Sequence, residues 1–274
     1  MATSQAPVAP GDRTDAAGTG AASNGNDPEG GLASRLHATQ RDIVQACQAA
    51  GRDPAGVRLV AVSKRHPAAV IAAGLRLGQC DFGENYAQEL RDKRAELGAD
   101  PTVTDLLPRL RWHFIGPLQR NKVPLLAGRV ALIHSIDSVE LIQDLAGRLT
   151  RQAAHPTTAV GATQDILIQV NVGDESQKSG CSAADLPRLL EAVAVSQGWL
   201  RCVGLMCIPP ASEDPQASRP HFRALRDLRD LHAATARPHV DLRELSMGMS
   251  HDFAVAIAEG ATLVRVGTAI FGPR

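Results

Sequence analysis

Eight short apolar runs recur along this chain with longer amphipathic stretches between them, and that alternation restricts the fold more than any other feature. The runs fall at 57–63 (VRLVAVS), 80–82 (CDF), 111–115 (RWHFI), 131–134 (ALIH), 165–170 (DILIQV), 201–206 (RCVGLM), 242–245 (LREL) and 262–266 (TLVRV). Runs of this length bounded by turn residues read as strands. The stretches between them, at about 67–77, 86–98, 120–127, 138–153, 182–197, 217–235 and 250–259, have helical length. A leading helix at about 32–50 is expected from the stripe Leu32, Leu36, Ile43 and Cys47. Strict alternation implies a parallel sheet, because parallel neighbours need a crossover connection. Eight such strands between residues 32 and 274 match a single (β/α)8 TIM barrel, the α/β fold expected here. The rival is an open doubly wound sheet. Its dinucleotide fingerprint is missing, since the first strand-to-helix turn, Ser63-Lys64-Arg65-His66-Pro67, contains no glycine.

Residues 1–31 are expected to be a disordered tail and 32–274 the barrel domain. The first 30 residues are mostly Ala, Gly, Ser, Thr, Asn and Pro, which bury too little surface to offset the entropy of ordering, and they lack the apolar core of a signal peptide. No segment reaches the roughly 18 apolar residues that a bilayer span needs. Lys plus Arg equals Asp plus Glu at 29 each, so no overall field recruits nucleic acid or an anionic membrane, and a bound phosphate must be held locally. The five cysteines, Cys47, Cys80, Cys181, Cys202 and Cys207, are odd in number and show no CxxC spacing, so neither a disulfide framework nor a zinc site is expected. They read as reduced thiols of a cytoplasmic protein.

In a barrel the residues that follow the strands meet at one mouth. Lys64 ends the first run, and a lysine partly desolvated on a packed strand has a lowered pKa that frees its amine to form an imine with a carbonyl. The alternative for Lys64 is a solvated strand end. After the seventh and eighth runs come Ser246, Gly248 and Ser250, then Gly267 and Thr268, at the strands where barrels often hold phosphate. Helix capping is the other use of such residues. Arg265 lies within the last apolar run and needs a partner: either a carboxylate such as Glu244, or the pyridine nitrogen of a cofactor, to which a guanidinium that keeps its proton can only donate. An amine, two small-residue loops and an arginine together suit pyridoxal 5'-phosphate. His113 and His134 read as satisfied core histidines more readily than as ring contacts, Tyr86 as the start of a helix, and Asn85 and Asn171 as rim contacts or turn formers. The run Gly173–Gly180 reads as a solvated loop.

The stretches LVAVSK (59–64), FGENYAQEL (82–90), WHFIGPLQRNK (112–122), IHSIDS (133–138), KSG (178–180), GLM (204–206), LSMGMSHD (245–252) and VRVGTAIFG (264–272) resemble the pyridoxal phosphate homeostasis proteins, also called the YggS or PROSC family. The resemblance implies a barrel like the N-terminal domain of alanine racemase, with pyridoxal 5'-phosphate as an imine on Lys64. It further implies Arg265 at the ring nitrogen, Ser246, Gly248, Gly267 and Thr268 at the phosphate, and Asn85 nearby. Arg65-His66, where the family commonly has Thr-Lys, and the loop Asp174-Glu175-Ser176-Gln177 depart from its pattern and affect rim contacts only.

Three functions compete. The resemblance implies a carrier that buffers the cofactor, supplies apoenzymes and influences amino and keto acid balance, without established catalysis. A racemase of low activity would need a base on each face of its substrate, and Lys64 supplies one. In alanine racemase the second is a tyrosine that comes with a further C-terminal domain; this chain stops at Arg274, so that domain is expected to be absent, leaving Tyr86 or His113 as substitutes. A lysine-imine aldolase acting on a sugar phosphate is disfavoured by Arg265 and the family motifs. The expectation is a monomeric carrier that binds neither nucleic acid nor membrane.

Overall fold

A computed structural model describes residues 1–2, 28–154, 163–175 and 179–272. Strands β1 (Arg58–Val62), β2 (Asp81–Glu84), β3 (Arg111–Phe114), β4 (Leu132–Ile136), β5 (Gln164–Gln169), β6 (Leu200–Met206), β7 (Val240–Ser246) and β8 (Leu263–Val266) close into a barrel in chain order. Neighbours are parallel throughout, and closure comes from β8 on β1, where Val60 stands opposite Arg265. The (β/α)8 expectation is therefore met. Around the barrel run α1 (Pro28–Ala49), α2 (Ala68–Arg76), α3 (Ala87–Gly98), α4 (Val123–Leu126), α5 (Val139–Ala153), α6 (Leu186–Ala194), α7 (Arg219–Ala233), α8 (Phe253–Ala258) and α9 (Thr268–Phe271).

Several boundaries differ from the sequence expectation, and prolines explain three of them. Pro124, Pro187 and Pro220 each sit in a first turn, where the missing N–H costs nothing. They start α4, α6 and α7 later than apolar periodicity implied, and α4 is preceded by a separate 3-10 turn at Arg120–Lys122. A 3-10 segment at Thr104–Arg109 was not expected at all. At the front, α1 begins at Pro28, inside the segment read as tail; residues 3–27 of that segment lie outside the described residues.

Both faces of the strands are buried, so two apolar layers form. Val60, Leu132, Leu167, Val203, Met206 and Leu263 fill the barrel. Their neighbours Ala61, Ile133, Ile166, Ile168 and Val264 face the helices in the larger outer core. The expected stripe of α1 is buried there as well, against α8 and α9. Two arginines fasten that helix: Arg35 donates from Nε to the Ile270 carbonyl at 2.7 Å, and Arg52 from Nη1 to the carbonyls of Ile257 and Ala261 at 2.7 and 2.8 Å. The helix thus braces the β8 side of the barrel, which carries the candidate site. No described helix is long and apolar enough to cross a membrane.

Candidate functional site

Lys64 lies in the turn two residues past the end of β1, half-buried. A cluster of charged groups fixes the backbone on either side of it. Lys93 of α3, almost wholly buried, places Nζ 2.7 Å from Glu84 Oε1, 2.7 Å from Glu89 Oε1 and 2.8 Å from the Ser63 carbonyl. The Ser63 hydroxyl donates to the same Glu84 oxygen at 2.7 Å. On the far side, Arg65 has φ +64° and its N–H donates to Glu89. A left-handed conformation costs a side-chain-bearing residue about 1 kcal/mol or more, and the Glu89 contact holds it there. Burial pushes the Glu84 carboxyl above the usual range against the opposing pull of Lys93, and its second oxygen has no hydrogen-bond partner.

The loops after β7 and β8 form the facing wall. Gly248 has φ +90°, and a Cβ there would lie 2.6 Å from Ala256 Cβ and 2.9 Å from Phe253 Cα, so the turn requires glycine. Asp252 shapes the rest of the loop: Oδ1 accepts from the Met249 N–H at 2.7 Å and Oδ2 from the Ser218 hydroxyl at 2.9 Å. The Arg265 N–H donates to the Gly248 carbonyl at 2.9 Å, which ties this loop to β8. His66 packs against Phe271 with ring centroids 5.1 Å apart, joining the Lys64 turn to α9.

Between these walls lies a cavity of about 280 Å³ lined by Lys64, Asn85, Arg265, Gly267 and Thr268, with Met249, Ser250 and His251 from the β7 loop. Val62, Ile115 and Ile208 supply its apolar surface. A few converging polar groups on an apolar frame are what a small-molecule site needs. Asn85 Oδ1 is buried without a hydrogen-bond partner, an acceptor waiting for a donor. Another cavity, of about 290 Å³, opens among Arg94, Leu97, Trp112 and Arg129 near the starts of β3 and β4, at the opposite end of the barrel from Lys64.

Arg265 is 4% exposed. It does not pair with Glu244, whose carboxylate instead accepts from Arg58 at 2.6 Å and from Thr262 at 2.6 Å. The guanidinium donates through Nη1 to Ser246 Oγ at 2.6 Å and through Nη2 to the Cys207 carbonyl at 2.9 Å. Burial pulls its pKa down, yet a guanidinium stays protonated at any physiological pH.

Of the residues expected at the site, Lys64, Asn85, Arg265, Gly267 and Thr268 line one cavity, and so does Ser250. Ser246 and Gly248 do not. Ser246 ends β7 with its hydroxyl turned inward, bonded to Arg265 and to His134 Nδ1 at 2.8 Å, and Gly248 shapes the turn beneath Met249 and Ser250. His113 and His134 are satisfied core histidines. Tyr86 caps α3 at the surface under the Arg65 guanidinium, and Asn171 donates to the Glu175 carbonyl within its own loop. Residues 176–178 of the Gly173–Gly180 run lie outside the described residues. Ile115, Ile208 and His251 were missed as lining residues. Their positions just past β3, β6 and β7 were the available signal.

Residues 35–274 match the family profile described as alanine racemase, N-terminal domain. The chain is 45% identical over 233 residues to the pyridoxal phosphate homeostasis protein of Pseudomonas aeruginosa, covering 85% of this chain and 91% of that one. This chain belongs to the pyridoxal phosphate homeostasis family. The family member of Aquifex aeolicus is 42% identical over 240 residues, 88% of this chain and 97% of its own. Among solved structures, PipY of Synechococcus elongatus with pyridoxal phosphate bound superimposes with a TM-score of 0.70 at 34% identity, over 88% of this chain and all of PipY.

Proposed function

We propose that this chain binds pyridoxal 5'-phosphate in the cavity at the β1 and β8 strand ends, with Lys64 as covalent anchor, and that it carries and buffers the cofactor for apoenzymes. The observation that carries this reading is that Lys64 and Arg265 line one cavity together with Gly267, Thr268 and Ser250. The family names and the cofactor-bound PipY structure support it. Lys64 would hold the cofactor through its amine at the aldehyde carbon, with loss of water, a reversible link suited to release. The cofactor, when bound, is an electron sink whose strength depends on its ring nitrogen. Arg265, unable to pass on its proton, would donate to that nitrogen without protonating it and so keep the sink weak. Gly267 would admit backbone close to the phosphate, Thr268 and Ser250 would add hydroxyl donors, and the unpartnered Asn85 Oδ1 would accept from the ligand. Tyr86 and His113, the sequence candidates for a racemase's second base, lie off the cavity, which favours the carrier over slow racemisation. The reading includes a monomeric state and a cytoplasmic location, and five free cysteines, four of them buried, accord with the latter.

The test is the absorbance spectrum of protein mixed with pyridoxal phosphate, then borohydride reduction and peptide mass analysis. A visible-edge band and a phosphopyridoxyl group on Lys64, both lost in Lys64→Ala with melting unchanged, are expected. An adduct on another lysine, or none, overturns the assignment.

A further inference from the structure

Behind Arg265 a line of buried polar side chains runs through the barrel interior to β2. Arg265 Nη1 donates to Ser246 Oγ at 2.6 Å; Ser246 Oγ lies 2.8 Å from His134 Nδ1; His134 Nε2 lies 2.9 Å from His113 Nδ1; His113 Nε2 lies 2.8 Å from Asp81 Oδ1. Five strands contribute one residue each, and all five residues are buried. Arg111 closes the far end with Nε 2.8 Å from the same Asp81 oxygen.

The hydrogens along this line can be assigned from its two ends. Arg265 has only hydrogens to give, so Ser246 Oγ accepts from it and is free to give its own hydrogen to His134 Nδ1. Ionised Asp81 has only lone pairs, so His113 gives it the Nε2 hydrogen and keeps Nδ1 as an acceptor. His134 then fills both demands as a neutral ring protonated on Nε2. Every link has one donor and one acceptor, and the dipoles run head to tail from a cation to an anion. Were His113 an imidazolium, His134 would be forced to donate to Ser246, which already accepts from Arg265, and the serine hydrogen would have no acceptor among the described contacts. A second positive charge would also share the barrel with Arg265.

We propose that Ser246, His134, His113 and Asp81 are positioning residues for Arg265, a one-way hydrogen-bond line that presents a lone pair to the guanidinium and fixes it at the cavity wall. Asp81, whose charge Arg111 pairs directly, anchors the acceptor end of the line and is joined to Arg265 through three neutral side chains. The electrostatics of the buried groups agree with the assignment. Burial pushes the Asp81 carboxyl up, but the His113 and Arg111 hydrogen bonds outweigh it and bring it down to about 2. Burial pushes both imidazoles down, His134 further because His113 and Arg265 add to the effect. The consequence for the cofactor rests on the function proposed above, whereas the hydrogen order does not.

The first test therefore needs no cofactor. Two-bond ¹⁵N–¹H spectra of the imidazoles in ligand-free protein at pH 7 are expected to show His113 and His134 neutral and protonated on Nε2. A charged ring or a hydrogen on Nδ1 in either residue overturns the one-way order. The second test titrates pyridoxal phosphate into Ser246→Ala, His134→Leu and Arg265→Gln and records the absorbance band. Weakening of at least about tenfold, matching loss of a charged hydrogen bond, is expected in each, with the band displaced in one common direction. Adding His134→Leu to Arg265→Gln is expected to change the band no further, since residues acting through one group are not additive. Ile166→Ala, a cavity in the outer core, serves as the stability control with an unchanged band. If His134→Leu melts earlier but keeps the wild-type band and affinity, the line is packing alone and the proposal fails. Wild-type protein that takes up no cofactor would sink the functional reading and leave the hydrogen order to the spectra.

Discussion

Replacing Lys93 by Met tests how the Lys64 turn is held. The substitution keeps the length and volume of the stem while removing an ammonium that touches Glu84, Glu89 and the Ser63 carbonyl. Glu84 is fully buried and one of its oxygens is already unpartnered, so losing Lys93 leaves a buried carboxylate held only by the Ser63 hydroxyl. Breaking such a pair from one side costs about 3 to 5 kcal/mol. With a urea dependence of about 3 kcal/mol per molar for a domain of this size, the unfolding midpoint falls by about 1 to 2 M. The loss depends on pH in a fixed direction. Burial raises the Glu84 pKa in the folded state, and Lys93→Met raises it further by removing the group that opposes burial. The penalty is full above the variant's folded pKa and shrinks as pH falls toward the wild type's, below which Glu84 carries its proton in both folded proteins and the charge no longer separates them. Urea melts followed by circular dichroism at pH 8 and pH 5 should show a smaller gap from wild type at pH 5. A loss below about 1 kcal/mol at pH 8, or a gap that widens with acid, refutes the reasoning.

Three further outcomes are expected. Gly248→Ala combines a left-handed backbone with a Cβ 2.6 Å from Ala256 Cβ, and should cost about 2 to 5 kcal/mol in urea melts while weakening pyridoxal phosphate binding. Arg52→Ala strips donors from the carbonyls of Ile257 and Ala261 and should cost about 1 to 3 kcal/mol, with faster hydrogen exchange in α1 than elsewhere. Cys202 and Cys207 are pushed up to about 12 by burial, so a thiol-specific disulfide reagent at pH 8 should leave both unmodified in folded protein and label them in urea.

The barrel was legible because each strand is an apolar run stopped by polar or small residues, and because buried parallel strands need no alternation to be recognised. The mouth was legible for the same reason: Lys64, Asn85, Gly267 and Thr268 each stand where an apolar run ends, and the structure gathers all four on one cavity. Helix starts were less legible. Periodicity continues through the residues ahead of Pro124, Pro187 and Pro220, while the backbone there turns into helix only at the proline's own first turn.

Lys64 at the end of β1, the small-residue loops after β7 and β8, and an arginine that had to find a partner inside an apolar strand were all present in the order of residues. Which partner Arg265 takes was decided by the closed barrel. A strand buried on both faces carries no mark of which side chains point inward, and a shift of one residue reverses the answer. Closure turns Ser246 toward Arg265 instead of the lip, gives Glu244 to Arg58, and brings His113 and His134, 21 residues apart in the chain, to 2.9 Å. Those contacts depend on the stagger between strands that meet only after the barrel has formed, so no local pattern encodes them.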